Sequence, residues 1–235
     1  MVSSPHRRLV YLHGFASSPG SNKARRFAEA LLARGVEADL PNLNQGDFTG
    51  LTVSRQISLL DSLTAGQGPA SVVLIGSSMG AYVSALFATI DGLARRVAAL
   101  VLMAPAFGFI RRWIGRMSPE ALDLWRERGS MQVFHHATEQ WQPIGWGLVE
   151  DASRHPDYPD VRVPTLVIHG RMDESVPVEC SQHFARAREN VVLELIDSDH
   201  SLAGSVDWII DRAFQFLAPW FPELQTEGEG AGKAP

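Results

Sequence analysis

Four short motifs carry the residue types that acyl transfer requires. Gly76-Ser77-Ser78-Met79-Gly80 fits the pattern G-x-S-x-G, with Ser78 at the nucleophile position. A serine hydroxyl attacks a carbonyl only when a neighbouring base takes its proton. His200, within Asp197-Ser198-Asp199-His200-Ser201, is the candidate base. A base of this kind needs a carboxylate behind it to hold the ring in one tautomer. Asp173 is the candidate, in the run His169-Gly170-Arg171-Met172-Asp173-Glu174-Ser175-Val176-Pro177, with Glu174 as its main rival. Asp197 and Asp199 are near neighbours of His200 in sequence and poorly placed to meet its ring from the far side. The fourth motif is His13-Gly14-Phe15. A glycine there lets the chain turn so that the Phe15 N–H faces the serine, and with the Met79 N–H it would form an oxyanion hole. His13 itself is expected to make a structural hydrogen bond.

These motifs are useful only if something holds them together. Short runs rich in Val, Ile and Leu read as strands at Leu9–His13, Val36–Leu40, Ser71–Ile75, Val97–Met103, Thr165–His169 and Val191–Ile196. Most lack polar alternation, as strands buried on both faces do. Amphipathic stretches at Asn22–Arg34, Thr52–Leu63, Met79–Ile90, Val178–Arg188 and Leu202–Leu217 lie between them. This alternation predicts an α/β fold, a mostly parallel, doubly wound sheet with helices on both faces. All four motifs then follow strands, on the edge where such a sheet gathers its active-site loops. The Ser78 motif sits between the strand SVVLI and the helix MGAYVSALFATI, so a strained strand-to-helix elbow is expected. The plainer alternative is a Gly/Ser-rich turn that binds a phosphate.

Residues 106–163 break the rhythm, being longer than a βα crossover needs. This stretch holds Trp113, Trp125, Trp141 and Trp146 and reads as a lid inserted into a core made of residues 1–105 and 164–225. A helix is expected over Ser118–Arg128 and a small hairpin from Met131–His136 and Ile144–Val149. Trp113 and Trp146 are the candidate substrate contacts, because each flanks a junction of the insert. Arg111, Arg112, Arg116, Arg126 and Arg128 alternate with Glu120, Asp123 and Glu127, which favours a salt-bridged surface over an acidic-substrate site. His135, His136 and His155 lack metal-ligand spacing and read as solvated. The tail at 226–235, TEGEGAGKAP, is expected to be disordered.

Composition narrows the partners. The net charge of −5 in 235 residues gives no reason to expect nucleic acid or an anionic membrane. The longest apolar run, Val97–Ala104, is far short of the roughly 18 residues that span a bilayer. The N-terminus has no long apolar stretch of the signal-peptide type. A single cysteine, Cys180, excludes an internal disulfide and fits a reducing compartment, so a cytoplasmic location is expected.

Taken together, HGF after the first strand, GSSMG, HGRMDESVP and SDHS resemble the α/β-hydrolase superfamily over essentially the whole folded chain. YLHGFASSPGSNKA followed by GSSMGAY is similar to its YqiA-like esterase branch. The resemblance implies a Ser-Asp-His triad on Ser78, Asp173 and His200, in that superfamily's chain order. It implies hydrolysis of small-molecule carboxylic esters or thioesters through an acyl-enzyme, with no metal or organic cofactor. The Trp-rich insert departs from the smaller members, so substrate preference does not carry over. A peptidase, lyase or C–C hydrolase on the same fold and a non-catalytic binding module are the alternatives.

Overall fold

The computed structural model describes residues 7–186 and 188–225. The tail at 226–235 lies outside them. Six strands form one parallel sheet: β1 (Arg8–Leu12), β2 (Ala38–Asp39), β3 (Val72–Ser77), β4 (Val97–Met103), β7 (Thr165–Gly170) and β8 (Val191–Ile196), in the order β2-β1-β3-β4-β7-β8. The remaining strands, β5 (Ser130–His135) and β6 (Gln140–Gly145), pair antiparallel in the insert.

Alternate strand residues feed two cores, because successive side chains point to opposite faces. Leu9, Tyr11, Val73, Ile75, Val101 and Ile168 meet helices α1 (Asn22–Leu32) and α8 (Val206–Leu217). Val10, Leu12, Leu74, Leu100 and Val167 meet α2 (Val53–Leu63), α3 (Met79–Phe87) and α7 (Val178–Arg186). This is why the central strands read as unbroken apolar runs. Among the described residues no helix is long and apolar enough to cross a membrane.

The insert adds α4 (Phe109–Gly115), α5 (Pro119–Arg128) and α6 (Gly147–Ala152) around the β5–β6 hairpin. It shares the second core: Phe107, Trp125, Ile144 and Leu148 pack in one cluster with Leu12, Tyr82 and Phe184. Polar contacts tie it down as well. The Gly145 N–H donates to Thr49 O at 2.9 Å, the Ser54 N–H to Asp151 Oδ2 at 2.9 Å, and the Tyr82 hydroxyl to Pro156 O at 3.0 Å.

Two expectations about elements need correcting. The strand expected at Val36–Leu40 pairs only over Ala38–Asp39. The Val36 N–H instead closes the end of α1 on Leu31 O, and Pro41 ends the run on the other side. The second hairpin strand was expected at Ile144–Val149 but runs over Gln140–Gly145, with Pro143 opposite Gln132. A two-stranded ribbon has two open edges, so a residue without an N–H is tolerated there. Gly147–Ala152 is helix instead.

Candidate active site

The sheet order reverses direction at β1. The chain leaves β1 for β2 on one side and returns through β3 on the other, so a crevice opens between the carboxyl ends of β1 and β3. Ser78 follows β3 directly and is the N-cap of α3, with φ 53° and ψ −116°. A non-glycine residue in that region carries about 1–3 kcal/mol of strain and persists only where its surroundings enforce it. Here they do: the Ser78 N–H donates to Met103 O at 2.8 Å, and Ser78 O accepts from Tyr82 N and Ala106 N at 3.1 Å. The flanking glycines are required by contact. A Cβ at Gly80 would sit 2.2 Å from Leu12 O, and one at Gly76 would sit 2.5 Å from Ala81 Cα.

Ser78 Oγ lies 3.1 Å from His200 Nε2, and His200 Nδ1 lies 2.7 Å from Asp173 Oδ2. A ring nitrogen facing a carboxylate must carry the proton, so Nδ1 donates to Asp173 and Nε2 is left to accept from the serine hydroxyl. The Asp173 side chain is wholly buried. Its Oδ1 accepts from Ser175 N at 2.9 Å and Val176 N at 2.7 Å. Burial by itself would push this carboxyl up. The hydrogen bonds from His169, His200 and the Val176 N–H outweigh burial and hold it well below the usual carboxylate range.

Among the described residues no competing acid hydrogen-bonds His200, whose ring nitrogens face Asp173 and Ser78. Glu174 is exposed, Asp197 pairs with Arg171 at 3.2 Å, and Asp199 Oδ1 accepts from Ser201 Oγ at 2.6 Å.

The His13-Gly14-Phe15 turn lies against the serine, close enough that a Cβ on Gly14 would be 3.9 Å from Ser78 Oγ. His13 has the structural role expected of it: Nδ1 faces Gly14 O at 2.9 Å, and Nε2 accepts from Leu43 N at 3.0 Å. Met79 opens α3, where an N–H has no intrahelical carbonyl. Among the described residues neither the Phe15 N–H nor the Met79 N–H donates to a backbone carbonyl.

A profile of the family described as "Uncharacterised protein family (UPF0227)" matches residues 8–218, nearly the whole described chain. The chain belongs to that family. This is the YqiA-like branch, and the sheet and elbow are those of an α/β hydrolase. No curated protein matches the sequence. Solved structures do match at the level of fold. Alpha/beta hydrolase domain-containing protein 10 from mouse is 20% identical, with TM-score 0.74 over 90% of each chain. Est1E from Butyrivibrio proteoclasticus with ferulic acid bound is 18% identical, with TM-score 0.69 over 90% of each chain. A structure from the metagenome-derived lipolytic enzymes LipS and LipT is 17% identical, with TM-score 0.67 over 92% of this chain and 95% of that one.

In this UPF0227 member two clefts meet at Ser78. One, of about 570 Å³, is walled by Phe15, Met79, Phe109, Trp113 and Val176, with Arg112 and Arg116 among its lining. The other, of about 860 Å³, runs past Tyr11, Ser17, Ser21, Lys23 and Asp199. Trp113 is on the first wall, edge-on to Phe15 at 5.5 Å. Trp146 is not. It packs against Trp125 at 5.3 Å, which in turn packs against Trp113 at 5.3 Å, so Trp146 stands behind the wall.

Some arginines and one histidine of the insert differ from expectation, while His136 is exposed as expected. Among the interleaved residues only Arg126 and Asp123 pair; Arg111 pairs with Asp157 outside the run, while Arg112 turns inward to Phe107 O. Arg112 and Arg116 both line the cleft because residues four apart share one face of a helix. His135 is buried rather than solvated, edge-on to Phe48 at 4.8 Å and bonded to Asn44.

Sequence reasoning missed His169. Its ring is fully buried, with Nε2 3.0 Å from both Asp173 Oδ2 and Val176 O and Nδ1 2.7 Å from Ser181 Oγ. Two acceptors around Nε2 place a proton there, so His169 is a second donor to Asp173. One signal was available: a histidine ending a fully buried strand must have partners on both nitrogens.

Proposed function

We propose that this protein is a serine hydrolase that cleaves small carboxylic esters or thioesters through an acyl-enzyme. The observation that carries the reading is the hydrogen-bonded line from Ser78 Oγ through His200 to the buried Asp173. His200 Nε2 takes the serine proton as Oγ attacks the acyl carbonyl. Asp173 keeps the imidazole in the productive tautomer and stabilises the imidazolium that forms. The Phe15 and Met79 N–H groups receive the developing oxyanion, each worth about 3 kcal/mol in such sites. His200 then returns its proton to the leaving group, and water repeats the sequence on the acyl-serine. Every group in these steps is supplied by the chain. On the same fold, LipS and LipT are lipolytic enzymes and Est1E binds ferulic acid, a carboxylic acid, which supports the reading. The single buried Cys180 fits a reducing, cytoplasmic setting. The test is labelling of Ser78 by a fluorophosphonate, followed by a chain-length panel of esters and thioesters. An unlabelled, inactive protein would overturn the proposal.

Two further expectations follow from the geometry. Since His200 acts as base only when neutral, kcat/KM should rise with pH between about pH 5 and about pH 8. Asp173 is held ionised below this range, so no carboxylate inflection should accompany the rise. A rate flat across that range, with chemistry limiting, would count against His200 as base.

The aromatic cleft is the natural acyl site, and Trp113 is the large ring on its wall. Trp113→Ala should cost about 1–3 kcal/mol in kcat/KM for an acyl chain that fills the cleft and little for acetyl esters. Trp146→Ala, behind the wall, should leave chain-length preference unchanged. Equal losses for short and long acyl groups in Trp113→Ala would make that residue a stability element only.

A further inference from the structure

The second cleft at Ser78 is built differently from the first. Lys23, in the first turn of α1, lines it. Among the described residues its ammonium has no hydrogen bond and no ion-pair contact; Asp199 and Asp173 act on it only from a distance. Tyr11, 2% exposed, lines the same cleft. The Tyr11 hydroxyl is buried beside Ser77 and makes no hydrogen bond of normal geometry. The N-terminus of α1 opens here too: Ser21 is its N-cap but makes no side-chain cap bond, and no acidic residue occupies its first turn. An unmatched ammonium, an unmatched buried phenol and free helix N–H groups are all donors, converging on one volume. Leaving such groups without acceptors is costly, and an anion is what would satisfy them.

We propose that this cleft seats a carboxylate or phosphate group of the substrate, with Lys23 as its counter-charge. The aromatic cleft takes the acyl chain, so the anionic group belongs to the leaving-group half. That assignment of halves rests on Ser78 being the nucleophile; binding of the anion does not.

The other charged and titratable groups facing the space are His13, His136, Glu174, Asp199 and His200. Glu174 and Asp199 are exposed, and Asp199 already accepts from Ser201 Oγ and the Leu202 N–H. Burial lowers the Lys23 pKa to about 8, with Asp199 and Asp173 opposing the shift. A lysine with a lowered pKa loses its charge as pH rises, so anion recognition should weaken above about pH 8.

The experiment compares three acetyl esters of one phenol framework: 4-acetoxybenzoate, its neutral methyl ester, and 4-acetoxyphenyl phosphate. The quantity read is the ratio of kcat/KM for each anionic ester to the neutral one, across wild type, Lys23→Met and Lys23→Arg. Lys23→Met should lower at least one ratio about ten- to hundredfold, the worth of a charge-assisted hydrogen bond. Which ratio falls distinguishes carboxylate from phosphate. Lys23→Arg should keep the preference and hold it at pH 9, where wild type weakens. In parallel, benzoate and phenyl phosphate are titrated calorimetrically into Ser78→Ala protein, with and without Lys23→Met. If wild type hydrolyses none of the three esters while the Ser78→Ala protein still binds benzoate or phenyl phosphate through Lys23, the anion site stands and the esterase reading falls. Ester hydrolysis with ratios unchanged in both variants, and no Lys23-dependent binding, would overturn the anion site and leave the esterase reading standing.

Discussion

Ser78→Ala should lower kcat by about 10⁵–10⁶, because a residue that acts within a coupled serine–histidine unit takes nearly the whole unit with it. The fold should persist. Alanine can occupy the same φ of 53° as the serine, and the backbone bonds that enforce that geometry, from Ser78 N to Met103 O and from Tyr82 N and Ala106 N to Ser78 O, involve no side chain. Ser77→Ala is the matched control. Ser77 is the last residue of β3 and lies outside the line through His200, so its loss should stay within about tenfold. Circular dichroism would check the fold and steady-state kinetics the rate. Equal losses in the two variants would mean that the elbow's register has been misread.

Asp173→Asn should cost about 10³–10⁴ in kcat. The Ser175 and Val176 N–H groups hold one oxygen of Asp173, so the amide oxygen of an asparagine would be kept on that side. Its NH₂ would then face both His200 Nδ1 and His169 Nε2, which donate to the carboxylate. His200 escapes the clash by moving its proton to Nε2, where it points at Ser78 and cannot act as base. His169 can escape only by giving up its bond to Val176 O, so the variant should also lose stability.

The acid limb of stability gives a second readout. Because the folded-state pKa of Asp173 is depressed, its contribution is full above the ordinary aspartate value near 3.9 and is lost as pH falls toward the lower folded value. Asp173→Asn should flatten that limb. Glu174→Gln and Asp199→Asn should cost far less in rate, since the His200 ring bonds to Asp173 and Ser78 and to neither of these side chains. A severe loss in Glu174→Gln would reassign the acid.

The sequence by itself determined the parts of this protein whose signals are local. Val72 to Ile75 had to be a doubly buried strand because no polar residue interrupts the run. Gly76 and Gly80 marked an elbow because only glycine fits there: Gly76 lies against the Ala81 backbone of α3, and Gly80 against the carbonyls at the end of β1. The motifs' positions just after strands placed Ser78, Asp173 and His200 on one edge of a parallel sheet, whatever the details of packing.

Tertiary structure decided what depends on residues far apart in the chain. Trp113 and Trp146 were equivalent as sequence, and only the stacking of α4, α5 and α6 put one on the cleft and the other behind Trp125. The hairpin slid to Gln140–Gly145 because its partner strand and the Thr49 carbonyl, not its own composition, set the register. His169 became a second donor to Asp173 through a turn that folds back on Val176. Lys23 came to face the cleft at Ser78 because α1 packs on the sheet beside β1, an arrangement that no window around Lys23 encodes. Periodicity and turn chemistry act over a few residues, whereas the walls of a site are fixed by packing between elements that the sequence separates by tens of positions.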